Sequence, residues 1–219
     1  MSTAIKLTRL RKLAEFEQRL QDLGVRLPID PEIESDGPLS QPFAIAGREV
    51  GNRFCVLPME GWDATADGRP TGLVLRRWQR FGQSGAKLIW GGEAYAIVPE
   101  GRANPNQLSS NPETEGDLAE LRAALVAAHE AKGESSSDLL IGLQLTHSGR
   151  YSRPDGSPSP RTAFRDPVLD ARVGITSDAA LLSDGELDEL VGAYASLARI
   201  ARNVGFDFVD IKACHGYLG

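Results

Sequence analysis

Gly205-Phe-Asp-Phe-Val-Asp-Ile-Lys-Ala-Cys-His-Gly-Tyr-Leu-Gly219 is the stretch from which the fold is read. Phe206 to Ile211 is a short apolar run that carries Asp207 and Asp210 and is led by Gly205, the pattern of a buried strand entered from a helix. Lys212, His215 and Tyr217 follow within a few positions. Three side chains that donate or relay protons, crowded where a strand becomes a loop, are poor material for a core and good material for a site.

Working outward, the helix feeding that strand carries Leu187, Leu190, Val191, Tyr194, Leu197 and Ala201 on one face, and Ser183 with Glu186 predicts a capping box at its start. Upstream, strand and helix patterns alternate. Phe54 to Leu57 is a strand ending at Pro58; Thr71 caps a helix with Leu75, Trp78 and Phe81; Lys87 to Trp90 is a strand ending in Gly91-Gly92-Glu93. Leu118, Leu121, Leu125 and Ala128 mark the next helix, stopped by Gly133 before a strand from Leu139 to Leu145, and a long loop with Pro154, Pro158, Pro160 and Pro167 precedes the capping box. Phe43 to Val50, with Gly47 near its middle, reads as a small hairpin.

Alternating strands and helices imply a parallel sheet. Polar or unusual residues stand at every strand end: Met59, Glu60 and Trp62 after the first; Glu93 and Tyr95 after the second; Gln144, His147 and Arg150 around the third; then Lys212, His215 and Tyr217 after the fourth. Sites drawn from the carboxyl ends of all strands are the habit of the eight-stranded barrel, whereas an open sheet uses one crevice. No Gly-x-Gly-x-x-Gly follows the first strand. The expected fold is therefore α/β, a TIM (β/α)8 barrel of which about the first four strands are present, since a whole barrel takes about 250 residues.

At 219 residues, 41% hydrophobic and 25% charged, the chain has the composition of a globular protein. Its net charge of −6 disfavours a nucleic-acid partner. No apolar run long enough to span a membrane and no secretory h-region occur. Cys55 and Cys214 have no metal-ligand spacing, so no metal site and a reducing, cytoplasmic setting are expected. Residues 1–42 are expected to be an amphipathic helix and a linker: Leu10, Leu13, Phe16, Leu20 and Leu23 form a stripe before Gly24, and Pro28 to Pro42 is rich in Pro, Asp and Ser. That stripe packs on its own domain or on a second copy, which would make a homo-oligomer.

Residues 43–219 resemble the old yellow enzyme group of NADH:flavin oxidoreductases, FMN-dependent ene-reductases on an eight-stranded barrel. The matching stretches are Asn52-Arg53-Phe54 through Pro58-Met59, Glu93-Ala94 with Gly101-Arg102, Gln144-Leu145-Thr146-His147-Ser148-Gly149-Arg150, and Gly205-Phe206-Asp207 through His215-Gly216-Tyr217-Leu218. The resemblance implies FMN, with NADH or NADPH as electron donor and a small-molecule acceptor of the α,β-unsaturated carbonyl type. It implies that Pro58, Met59, Glu60 and Ala94 line the flavin and that Gln144 bonds the pyrimidine edge, work suited to an amide that both donates and accepts. It makes Lys212 and His215, with Trp62 nearby, the substrate clamp, and Tyr217 the proton donor. His147 is expected to be structural support.

Three departures from the family pattern stand out. Lys212 replaces the usual first histidine. Glu60 stands where a Thr or Cys commonly addresses the flavin, and its carboxylate would oppose reduced flavin unless protonated or paired, for instance with Arg150. The strands that in the family hold the flavin phosphate lie beyond residue 219, so residues 1–219 alone are expected to be inactive. A competing expectation is a non-catalytic half-barrel that works by associating with another chain.

Overall fold

A computed structural model describes residues 6–219. The chain divides into two compact units between Pro38 and Leu39. In the first unit, helix α1 spans Leu13–Asp22, none of its residues is buried, and Gly24 ends it with φ +64°. Leu10 of the expected stripe lies ahead of the helix.

The second unit opens with the hairpin of β1 (Phe43–Ile45) and β2 (Arg48–Val50). Ala46 and Gly47 both have positive φ, 49° and 78°, as a two-residue turn matching strand twist requires. Then come β3 (Cys55–Val56), α2 (Gly72–Gln83), β4 (Leu88–Ile89), β5 (Ala94–Ala96), α3 (Thr114–Glu130), β6 (Leu140–Thr146), α4 (Pro167–Val173), α5 (Asp184–Asn203) and β7 (Phe208–Ile211). All pairs after the hairpin are parallel: β3 with β4, β4 and β5 with β6, and β6 with β7.

β4 and β5 lie along the same edge of β6, one pairing at Leu140 and Ile141 and the other from Gln144 to Thr146, so they are one strand position broken at Gly91-Gly92. Both glycines have positive φ, and a Cβ on Gly91 would stand 2.8 Å from Gln144 Cβ. Only glycine fits there. The sequence pattern ends this strand at Trp90; the structure resumes it at Ala94.

Residues of β6 alternate between two surroundings. Ile141, Leu143 and Leu145 join Trp78, Leu121, Leu125 and Leu197 from the helices in the main core. Leu140 packs instead with Val50, Leu88, Trp90 and Phe208 on the opposite face. Since Leu88 and Leu140 begin their strands, the hairpin residue Val50 closes the amino ends. The carboxyl ends are left to the loops that carry Glu60, Trp62, His147 and Tyr217.

Helix ends follow local chemistry. Thr71 Oγ1 accepts from Leu73 and Val74 N–H at the start of α2, and Ser183 with Glu186 forms the expected reciprocal capping box at α5. Helix α4 sits in the proline-rich segment read from sequence as loop. Asp166 caps it through Val168 and Leu169 N–H at 2.9 and 2.8 Å, Pro167 opens it, and left-handed Gly174 stops it. No helix among the described residues is long and apolar enough to cross a membrane.

Candidate active site at the carboxyl ends of the strands

Four strand ends come together at one level. Met59 bridges to Glu93, Ala94 is the register partner of Gln144, and Gln144 is the register partner of Asp210, two residues before Lys212. The sheet therefore brings Met59, Ala94 and Gln144, widely separated in sequence, into one row. Pro58 precedes Met59, which is 72% exposed, while Gln144 is nearly buried. Gln144 Nε2 donates to Asp210 Oδ2 at 2.6 Å, an aspartate that also points to this face.

The loop after β3 is held from behind. Arg77 on α2 donates to both Asp63 oxygens at 2.7 Å and to Glu93 Oε2 at 2.9 Å, and Glu93 Oε1 accepts from Gly61 N–H at 2.6 Å. Arg77 holds the Asp63 carboxyl below its ordinary range, whereas burial pushes Glu93 up despite Arg77. This clamp fixes the path of Glu60 to Trp62, and Trp62 has a positive φ of 52°.

Glu60 is paired with Lys212: Oε1 lies 2.6 Å from Nζ, with each side chain 9% exposed. Its other oxygen accepts from Trp62 Nε1 at 3.2 Å and from the Tyr217 hydroxyl at 3.3 Å. The lysine ammonium also lies 4.2 Å from the centre of the Tyr217 ring. The suggested partner Arg150 is committed elsewhere, 2.9 Å from Asp170 Oδ1 and over the Phe164 ring. Both members of that pair are buried, and a buried arginine needs its carboxylate close at hand.

Tyr217 has its phenol pushed up, first by burial and then by the Glu60 charge. It stays protonated across the physiological range. Its ring is 5.9 Å from that of Tyr151 and 6.1 Å from that of His215. His215 is exposed with φ +61°, and its Nδ1 lies 3.3 Å from Cys214 Sγ. A cavity of about 380 Å3 opens here, lined by Trp62, Asn104, Tyr151, Arg153, His215 and Tyr217 among others. Lys212 is not in that lining, because its ammonium is turned to Glu60.

His147 is 1% exposed, accepts from Gly149 N–H through Nδ1 at 3.0 Å, and abuts Gly101. Burial, with the charge of Arg161 adding, lowers its imidazole to about 4. It is a neutral packing residue. Sequence reading did not single out Arg77, Asp63, Tyr151 or Arg153, whose roles depend on contacts between distant elements.

A flat heteroaromatic with donors and acceptors on one edge suits this surface. Gln144 uses one amide proton on Asp210 and has the other proton and its carbonyl to offer, beside the small Ala94 and the exposed Met59. No cluster of three or more metal-ligating side chains occurs among the described residues.

Residues 38–219 match the NADH:flavin oxidoreductase / NADH oxidase family. The chain is 31% identical over 190 residues to the NADPH dehydrogenase of Geobacillus sp. (strain WCH70), covering 82% of this chain and 49% of that protein. It is 28% identical over 194 residues to the NADH-dependent flavin oxidoreductase nadA of Aspergillus parasiticus, covering 83% and 42%. Morphinone reductase superposes with a TM-score of 0.60 at 26% identity, over 84% of this chain and 50% of that one. Old Yellow Enzyme from Pichia sp. AKU4542 superposes with a TM-score of 0.64 at 19% identity, over 84% and 48%, a likeness of fold alone. The chain thus spans about half the length of these relatives, and its parallel sheet with outer helices is part of a (β/α)8 barrel.

Proposed function

Because the chain belongs to the NADH:flavin oxidoreductase / NADH oxidase family, we propose that its strand ends seat FMN and reduce the activated double bond of an α,β-unsaturated carbonyl compound. Gln144 would hold the ring edge, with Pro58, Met59, Glu60 and Ala94 along its face. When bound, FMN supplies a hydride taken from NADH or NADPH. The observation that carries the reading is Tyr217, a phenol kept protonated by burial and by Glu60 at the edge of a cavity it shares with His215.

In this scheme His215 donates a hydrogen bond to the substrate carbonyl oxygen, drawing electrons from the β-carbon that accepts the hydride. Tyr217 gives its proton to the α-carbon. The residual phenolate is stabilised by the Lys212 ammonium over its ring, and its hydroxyl returns to Glu60 once reprotonated by water. Lys212 thus acts through Glu60 and Tyr217, a positioning residue in place of the family's histidine. Trp62, held by Glu60, supplies a wall for the substrate. The setting we assign is cytoplasmic, which the two free cysteines favour.

A second reading is association with another chain. It is favoured by Phe54, Leu57, Met59 and Ile211, all at least half exposed on or beside the outer strands β3 and β7. The first reading is tested by incubating the FMN-loaded protein with NADPH or NADH and cyclohexenone in heavy water. Saturated ketone with deuterium at the α-carbon is expected; oxidation of the nicotinamide with the enone double bond left unreduced would refute it.

A further inference from the structure

We propose that the substrate carries an anionic group, a carboxylate set away from the reacting double bond, and that Arg153 is the residue that binds it. The inference rests on the cavity beside Tyr217 being the substrate site. Arg153 lines that cavity, is exposed, and forms no ion pair among the described residues. Its main chain is fixed: the N–H donates to Arg102 O at 2.7 Å and the carbonyl accepts from Gly156 N–H at 3.2 Å, so the side chain alone is free to meet a ligand.

The charge around the cavity favours an anion. Glu60 is cancelled by Lys212. Asp155, next but one, is turned to its own loop, accepting from Ser157 N–H at 2.9 Å. Arg102, buried under the same loops, donates only to carbonyl oxygens, those of Pro99, Ala66, Pro105 and Pro154 at 3.0, 2.7, 2.8 and 3.2 Å. Its positive charge is uncompensated by any carboxylate at contact. Two of those carbonyls belong to the segments that carry the cavity wall, so Arg102 both shapes the cavity and biases its potential. The rings of Tyr151 and Trp62 line the same cavity, Tyr151 at 5.9 Å from the Tyr217 ring, and offer apolar faces to the planar body of a conjugated substrate. A guanidinium without a carboxylate partner, aromatic walls and a proton donor in one cavity fit an enone with a distal carboxylate.

The probes are para-carboxybenzalacetone and its methyl ester, titrated calorimetrically into the oxidised FMN-loaded protein without nicotinamide. The acid should bind about tenfold or more tightly than the ester, the worth of one charge-assisted bond. Arg153→Gln should erase the difference and Arg153→Lys should keep part of it. Equal affinities, or a preference that survives Arg153→Gln, would overturn the proposal. So would an Arg153→Gln variant with slower flavin reduction by NADPH and an unchanged acid-to-ester ratio, which would assign the arginine to the nucleotide phosphates. Reduction of both probes without preference for the acid would remove this inference and leave the ene-reductase reading; acid-selective binding with neither probe reduced would do the reverse.

Discussion

Replacing Lys212 by methionine removes the cation from the most consequential pair in the site while keeping the length of the side chain. At 2.6 Å between Nζ and Glu60 Oε1, the gross attraction at an effective dielectric of about 20 is roughly 6 kcal/mol. Desolvation of two side chains that are each 9% exposed offsets most of that, so the intact pair adds little net stability. Removing one partner is different, because the other charge stays buried. In Lys212→Met, Glu60 keeps only neutral donors, Trp62 Nε1 at 3.2 Å and the Tyr217 hydroxyl at 3.3 Å. The expected loss is about 3 kcal/mol, the low end for a broken buried pair because those donors remain. Glu60→Gln combined with Lys212→Met removes both charges and should lie within about 1 kcal/mol of the original protein. Urea unfolding of the three proteins in one cofactor state, followed by tryptophan fluorescence, measures this through the midpoints. A harmless Lys212→Met would show that solvent screens the pair, and a double variant as unstable as the single one would show that the loss does not come from an unpaired Glu60 charge; either would refute the reasoning.

Tyr217→Phe should slow reoxidation of the reduced flavin by an enone about a hundredfold or more, the usual contribution of a positioned acid, with flavin reduction by nicotinamide nearly unchanged in stopped-flow traces; equal loss in both steps would contradict the proton-donor role. His147, lowered to about 4, folds as the neutral imidazole, so the unfolded chain binds a proton that the native state refuses. Stability is therefore full above about pH 6.5 and falls towards about pH 4 by up to roughly 1.4 kcal/mol per pH unit. Urea midpoints across that range should show the slope, and His147→Gln should flatten it. Gly101→Ala would place a Cβ 2.7 Å from Cδ2 of the same buried ring. It should cost about 1–3 kcal/mol in thermal or urea unfolding, where Gly116→Ala, with open space at its Cβ, should not.

Local chemistry made much of this fold legible. The Ser183 and Glu186 box, the Thr71 cap, the hairpin turn before Arg48 and the apolar runs of β6 and β7 each follow from neighbours within a few residues. The signals for α4 were present too, as Asp166-Pro167 ahead of it and Gly174 behind it, and prolines elsewhere in the segment obscured them. β5 was hidden for another reason: a three-residue apolar run after two glycines shows no period, and only the ladder with β6 makes it a strand. The partner of Glu60 was the least legible feature. It lies 152 residues away, and among several positively charged candidates only the fold decides that Arg150 meets Asp170 and Lys212 meets Glu60.

The central claim is that the carboxyl ends of these strands seat a flavin, with the Gln144 carboxamide on its edge. Titrating FMN into the complete, flavin-stripped protein and following flavin fluorescence tests it most directly. Saturable binding, weakened about tenfold by Gln144→Leu through the lost hydrogen bonds and unaltered by Arg153→Gln, is the predicted result; no binding, or equal affinity with and without the carboxamide, would contradict it.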